Sequence, residues 1–278
     1  GVDAADVAVG SAVSQLLAPV AAAFPAGARV VAPDIEFTSS LFPFMAAPGV
    51  EVRTAPPALL ADSVDVHTDV VVFSLVQSAT GEVANHAEIV AAARAHDALV
   101  VVDATQACGW LPFDAAAVDA AVVGAYKWLM APRGSAFAYL SPELRARLTP
   151  YAAGWYAADD PHASFYGPPL RLAEDARRFD ISPAWFCYVG AAPALELIEE
   201  IGVEEIHAHN VALANRFLAG LGRAPGSSAI VTVEAPGAEQ KLAAAGVRAA
   251  VRGGRVRASF HVYSTEADVD TALDALTG

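Results

Sequence analysis

Six short runs rich in Val and Ala punctuate the first half of the chain, and they restrict its fold more than any other feature. They are RVVAP (29–33), VEVRTA (50–55), DVVVFSLV (69–76), ALVVVD (98–103), DAAVVGAY (119–126) and GSAFAYL (134–140). Strands that are apolar on both faces need both faces covered, as in a parallel sheet. Helical patterns lie between them. Asn85, with Glu88 three residues on, opens one such helix as a variant capping box, and it runs to about Asp97. The alternation predicts an α/β fold: a three-layer, mostly parallel sheet sandwiched by helices.

The pattern changes after Pro142. A short helix (PELRARL) and an aromatic, Pro- and Gly-rich loop over 150–170 come first. Ser182-Pro183 then reads as a helix start, and the helix stops at Gly202. A helix over 203–221, a strand over 229–235 and a helix over 237–245 follow, then two short strands over 247–260 and a last helix from Thr265, with Asp268 three residues on. This tail predicts a smaller α+β domain. The expected division is 1–190 and 191–278, with the border in or beside the connecting helix.

Composition supports a core-rich globular chain. Of 278 residues, 55% are apolar and 17% charged, enough for one large and one small domain. The net charge of −14, without a basic run, argues against nucleic acid and anionic membrane as partners. Two cysteines, Cys108 and Cys187, with no C-x-x-C, exclude a disulfide framework and a thiolate zinc site, and fit a reduced, cytoplasmic setting. The uncharged stretch Val7–Ala28 follows Asp3 and Asp6 and is interrupted by Pro19 and Pro25, so it is expected to be a buried helix and the loop after it rather than a signal peptide or a span. His207 and His209 lie two apart on a helix and are expected to be solvated. Asp159, Asp160 and His162 lack a fourth metal ligand.

Lysine is nearly absent: only Lys127 and Lys241 occur among 17 basic residues. Lys241 falls on a polar helix face, whereas Lys127 sits in VVGAYKWLMAP among apolar neighbours. An ammonium there is costly to bury, although a snorkelling stem would also fit. Asp103 ends the ALVVVD strand, at the sheet edge where open α/β sheets bind ligands. An Asp in that place also caps turns. Lys127 follows the next expected strand, so the two bring an amine and a carboxylate to one edge. An amine held neutral condenses with an aldehyde, and a buried carboxylate keeps a pyridine nitrogen protonated. Together they describe a pyridoxal phosphate (PLP) site.

The segments VVVDATQACGWLPFD and VDAAVVGAYKWLMAPRGSAFAYL, with D-x-x-Q and a lysine 24 residues after the Asp, resemble the class V aminotransferase family of fold type I PLP enzymes, which includes cysteine desulfurases, kynureninases and isopenicillin N epimerase-like proteins. The likeness runs from about Val7 to the C-terminus. It implies a Schiff base at Lys127, Asp103 at the pyridinium nitrogen, and Gln106 and Ser78 near the phenolic oxygen. It further implies a phosphate cradle at Gly10, Ser11 and Ala12, a phosphate contact from Tyr126, ring stacking by Phe37 and a substrate-carboxylate grip by Arg257. A homodimer acting on an amino acid or small amine is implied too, with the aromatic loop from Tyr151 to Pro169 as the candidate contact.

Several positions depart from the family pattern. Val262 stands where desulfurases carry a nucleophilic Cys, and Cys108 is expected to be a small buried hydrophobe. Gly124 replaces the phosphate-binding Ser three residues before the lysine. RFDISP replaces R-F-E-x-G-T, leaving Ser182 as the candidate substitute for its Thr. The family's N-terminal segment is not found. The expected activity is transamination. C–S or β-lyase, kynureninase-like and epimerase chemistry are the alternatives, with a catalytically silent relative as a further one.

Overall fold

A computed structural model describes residues 1–234, 236–252 and 255–278. Ala235, Gly253 and Gly254, which fall within the strands expected over 229–235 and 247–260, lie outside the described residues. The chain divides into two compact units, 1–75, 85–108 and 113–197 in the first and 76–84, 109–112 and 198–278 in the second. A division at 190/191 leaves out the two short segments that join the second unit.

The first unit contains β1 (Val7–Gly10), α1 (Val13–Ala21), β2 (Arg29–Pro33), α2 (Thr38–Ala46), β3 (Glu51–Ala55), β4 (Val70–Ser74), α3 (His86–Ala95), β5 (Leu99–Asp103), β6 (Ala120–Gly124), β7 (Ala136–Leu140), α4 (Pro142–Arg145) and most of α5 (Trp185–Ile201). Its seven strands run in the order β1-β7-β6-β5-β4-β2-β3. β7 pairs antiparallel with both of its neighbours, β1 and β6, and β6, β5, β4, β2 and β3 pair in parallel. Every residue of β4 and of β6 is buried, as the two-sided apolar runs require. Helix α1 lays Val13, Leu16, Leu17, Val20 and Ala21 into the core beside Val72, Val101 and Val122.

Three local expectations are not met. Val7–Gly10 is a strand instead of helix, because β7 offers it an antiparallel edge, Val7 opposite Tyr139. Asn85 does not cap the backbone of α3; its Nδ2 donates to Glu88 Oε2 at 2.6 Å instead. Helix α5 starts at Trp185, and Ser182 lies in the irregular chain before it.

The second unit contains α6 (Val203–Gly220), β8 (Ile230–Val233), α7 (Ala238–Ala244), β9 (Ala250–Arg252), β10 (Arg255–Ser259) and α8 (Glu266–Thr277). Its three-stranded antiparallel sheet has the order β8-β10-β9. Leu213, Phe217, Val231, Leu242, Val256 and Val269 share one apolar core. The Thr265–Asp268 capping box closes in both directions at the start of α8. His207 is not solvated as expected: its ring stacks on Trp110 at 5.7 Å, and its Nδ1 is buried. No described helix is long and apolar enough to cross a membrane.

Candidate active site

The site is built where β5 and β6 end side by side. These strands pair in parallel with Asp103 opposite Val122, so the turns that follow them leave the same sheet edge. Asp103 closes β5 and is only 5% exposed. Its Oδ1 accepts from Thr105 N at 2.8 Å, and its Oδ2 accepts from Ser40 Oγ at 2.5 Å. Thr105 in turn accepts from Gly124 N at 3.0 Å, which ties the ends of β5 and β6 together. The carboxylate is thus fixed from two directions, and each of its oxygens has the capacity for a further donor.

Lys127 follows β6, and its Nζ lies 5.5 Å from the Phe37 ring centroid and 5.9 Å from that of Tyr126. Phe37 is 41% exposed at the N-cap position of α2, so it is not a core side chain. Gln106 is buried, and its Oε1 accepts from the Trp128 indole at 3.0 Å, which puts the Nε2 donor on the other side of the amide.

Tyr126 folds back over Gly124: a Cβ on that glycine would lie 3.2 Å from Tyr126 Cε1. The phenol ring therefore takes space that a serine at 124 would need. The turn Gly10–Ser11–Ala12 joins β1 to α1, as expected, but Ser11 N–H is not free. It donates to Gln15 Oε1 at 3.0 Å. That closure requires glycine at position 10, where a Cβ would meet Gln15 Oε1 at 2.3 Å. Gly10 O accepts from Tyr188 Oη at 2.7 Å. Val9 N donates to Asp180 Oδ1 at 2.7 Å, so the RFDISP segment holds the outer edge of β1. Burial pushes the Asp180 carboxyl up to about 7.

Ser78 and Arg257 belong to the second unit, where Arg257 Nη1 donates to the Ser78 carbonyl. Burial holds the Arg257 guanidinium below its usual value, and Arg252 adds to this. Cys108 packs beside Val123, Leu129 and Ala131, and burial pushes its thiol up to about 11, so the thiolate form that reacts is suppressed.

Sequence reasoning missed Glu36, Ser40 and Thr105. Glu36 is buried; its Oε1 accepts from Phe37 N at 2.7 Å and Ser74 Oγ at 2.5 Å, and its Oε2 from Ser74 N at 2.7 Å. It thereby fastens the start of α2 to β4, whose Ser74 lies opposite Asp103. Burial raises Glu36 above the usual carboxylate range; the bonds from Ser74 and Phe37 pull it back, and the charge of Asp103 raises it. The only hint in the sequence was a carboxylate beside the expected stacking residue in DIEFTSS.

The residues present fit PLP. A fixed carboxylate, an amine on the adjacent strand end, a ring beside that amine and a small-residue turn at a helix N-terminus are the parts such a cofactor needs.

The family description "Aminotransferase class-V" matches residues 11–242. The chain is 32% identical to an uncharacterized aminotransferase, YcbU, of Bacillus subtilis (strain 168), over 64% of this chain and 50% of that protein. It is 28% identical to isopenicillin N epimerase of Streptomyces clavuligerus, over 83% of this chain and 68% of that protein. The chain spans about half the length of the first curated relatives it matches. Among solved structures, the cystine C-S lyase C-DES in complex with cysteine persulfide superposes with a TM-score of 0.88 at 23% identity, covering 99% of this chain and 82% of that one. That likeness concerns the fold.

Proposed function

We propose, from the premise that this chain belongs to the class V aminotransferase family, that it binds PLP and acts at the α-carbon of an amino acid, with transamination as its reaction. The observation that carries this is the delivery of Lys127 and Asp103 to one sheet edge by neighbouring parallel strands, with Asp103 fixed by Ser40 and Thr105.

When bound, PLP supplies an aldehyde that joins amines covalently and a ring that takes up electron density from the substrate α-carbon. Lys127 would hold the cofactor through its Nζ, and that amine, when not so engaged, would move the substrate α-proton. Asp103 holds a proton at the ring nitrogen. Phe37 covers a ring face and excludes water there. Gln106 donates to the phenolic oxygen. The turn at Gly10, Ser11 and Ala12, with Tyr126, binds the phosphate, for which Gln15 must release Ser11 N–H. The roles of Ser78 near the phenolic oxygen and Arg257 at the substrate carboxylate rest on the resemblance alone.

Val262 in place of a nucleophilic Cys, and a suppressed Cys108 thiolate, favour transamination over desulfuration. We also propose a cytoplasmic homodimer. Tyr166 in the aromatic loop and Phe186 at the start of α5 are 90% and 92% exposed, and neighbouring rings touch one another, such as Trp155 with Phe165 and Tyr156 with Trp185. Exposed apolar surface of this kind marks interaction sites.

The test is to add PLP, reduce with borohydride and map the modified peptide. A stable adduct on Lys127, absent in Lys127→Ala, supports the reading; an adduct on Lys241 instead, or none, overturns it. A screen of amino acids against keto acid acceptors then separates transamination from lyase and epimerase chemistry. Sedimentation at micromolar protein tests the dimer.

A further inference from the structure

Arg133 stands six residues after Lys127, and its guanidinium carbon lies 3.9 Å from the centroid of the Tyr126 ring. The side chain is exposed, yet it is held at both ends. Stacking on the phenol fixes the planar head. At the other end, the Arg133 carbonyl accepts from Cys187 Sγ at 2.9 Å, and Gly134 follows with φ of +100°. Among the described residues, six arginines form ion pairs, and none of these is Arg133. Carboxylates are not scarce, since 31 acidic residues face 17 basic ones. A fixed cation that no acid among the described residues takes up is suited to an anion from outside.

Distance sets an upper bound on the span that such an anion has to cross. Lys127 Nζ and the Arg133 guanidinium carbon are measured from the same ring centroid, so they are no more than 9.8 Å apart. A substrate amine that takes the place of Nζ carries its distal carboxylate two or three carbons further on. With bonds near 1.5 Å and a charge-assisted N–H···O contact near 2.8 Å, a four- or five-carbon diacid reaches the guanidinium carbon across about 8–9 Å. A planar carboxylate also matches the two parallel N–H donors of the guanidinium edge.

We propose that Arg133, held on the Tyr126 ring, binds the distal carboxylate of a dicarboxylic amino acid processed at Lys127. The inference rests on the PLP reading above and names its substrate class.

The experiment uses protein reconstituted with PLP, with maleate as the dicarboxylate probe and crotonate as its monocarboxylate counterpart. Both are titrated through the cofactor absorbance, and PLP affinity is measured separately. Arg133→Met is expected to weaken maleate binding by about 10- to 100-fold relative to crotonate, as loss of a charged bidentate contact implies. Arg133→Lys keeps the charge without the fork and should recover part of it. The KM for aspartate should rise by a similar factor. If PLP affinity falls instead while maleate selectivity stays, Arg133 serves the cofactor phosphate and the proposal is overturned. If neither changes, Arg133 is a surface group and the proposal is equally overturned. A wild-type protein with no borohydride-stable adduct overturns the PLP reading and this inference with it. One that forms the adduct but prefers crotonate overturns this inference alone.

Discussion

The end of β5 and the turn after β1 are both loops at strand ends in the same unit, but they are built to different tolerances. Asp103 is buried and accepts hydrogen bonds from two different elements, α2 and the turn after β5. The turn Gly10–Ser11–Ala12 leaves Ser11 and Ala12 exposed, α1 starts without a side-chain cap, and Ser11 N–H is occupied by Gln15. The difference follows from the tasks proposed for them. A contact to one ring nitrogen is directional and needs an acceptor that cannot turn away. A phosphate presents several oxygens and divides its charge among many donors, so no single donor has to be fixed in advance.

If that contrast is real, substitutions at the two places should differ in size. Asp103→Ala should cost several orders of magnitude in turnover while PLP still binds, because the proton at the ring nitrogen is no longer held. Near-normal kcat in this variant would reduce Asp103 to a turn cap. Ser40→Ala removes one of the two donors to Asp103 from a fully buried position. A charged hydrogen bond of about 1.5–3 kcal/mol converts to roughly 10- to 150-fold in kcat. Ser40→Thr should recover part of it where a helix stability defect would not. Equal loss in both variants would assign Ser40 to packing.

At the other place the expected effects are smaller. Gly124→Ser restores a hydroxyl where the family places one, and the Tyr126 ring must give by a few tenths of an ångström. PLP affinity, read by titration, should tighten by less than about tenfold, the worth of one hydrogen bond. Weaker binding would mean that Tyr126 cannot move and already fills the role.

The last effect is on stability and not on turnover. Asp180 holds β1 through Val9 N, and burial lifts its carboxyl from 3.8 to about 7. The native state therefore binds the proton more tightly than the unfolded chain. The stability this adds is complete below about pH 4 and is lost as pH rises through about 7, by roughly 1.4 kcal/mol per unit of separation. Asp180→Asn keeps an oxygen for Val9 N without titrating, so its melting temperature should gain on the wild type between pH 5 and pH 8. Parallel profiles would show that Asp180 does not couple to the fold in this range.

Much of this was legible along the chain. RVVAP at 29–33 is β2 residue for residue, and α5 stops before Gly202 as the glycine predicts. Apolar runs and helix-ending residues act within a few positions, so they can be read in order. The Asp103–Lys127 pair was legible for the same reason, since strand direction alone puts two successive strand ends at one edge.

What sequence could not supply are the groups that reach Asp103 and Arg133 through space. Ser40 lies 63 positions from Asp103, and nothing in TSSLF distinguishes it from the serine beside it. The same holds for the strand at Val7–Gly10, which exists because β7 runs beside it, and for the segments 76–84 and 109–112, which pack with the second unit. Local pattern determined the sheet, its direction and the lysine and carboxylate at its edge. Only the tertiary structure decided which side chains fix that carboxylate and which arginine stands unpaired beside the lysine. A hydrogen bond depends on angstrom-scale placement of two groups, and chain order does not encode that distance.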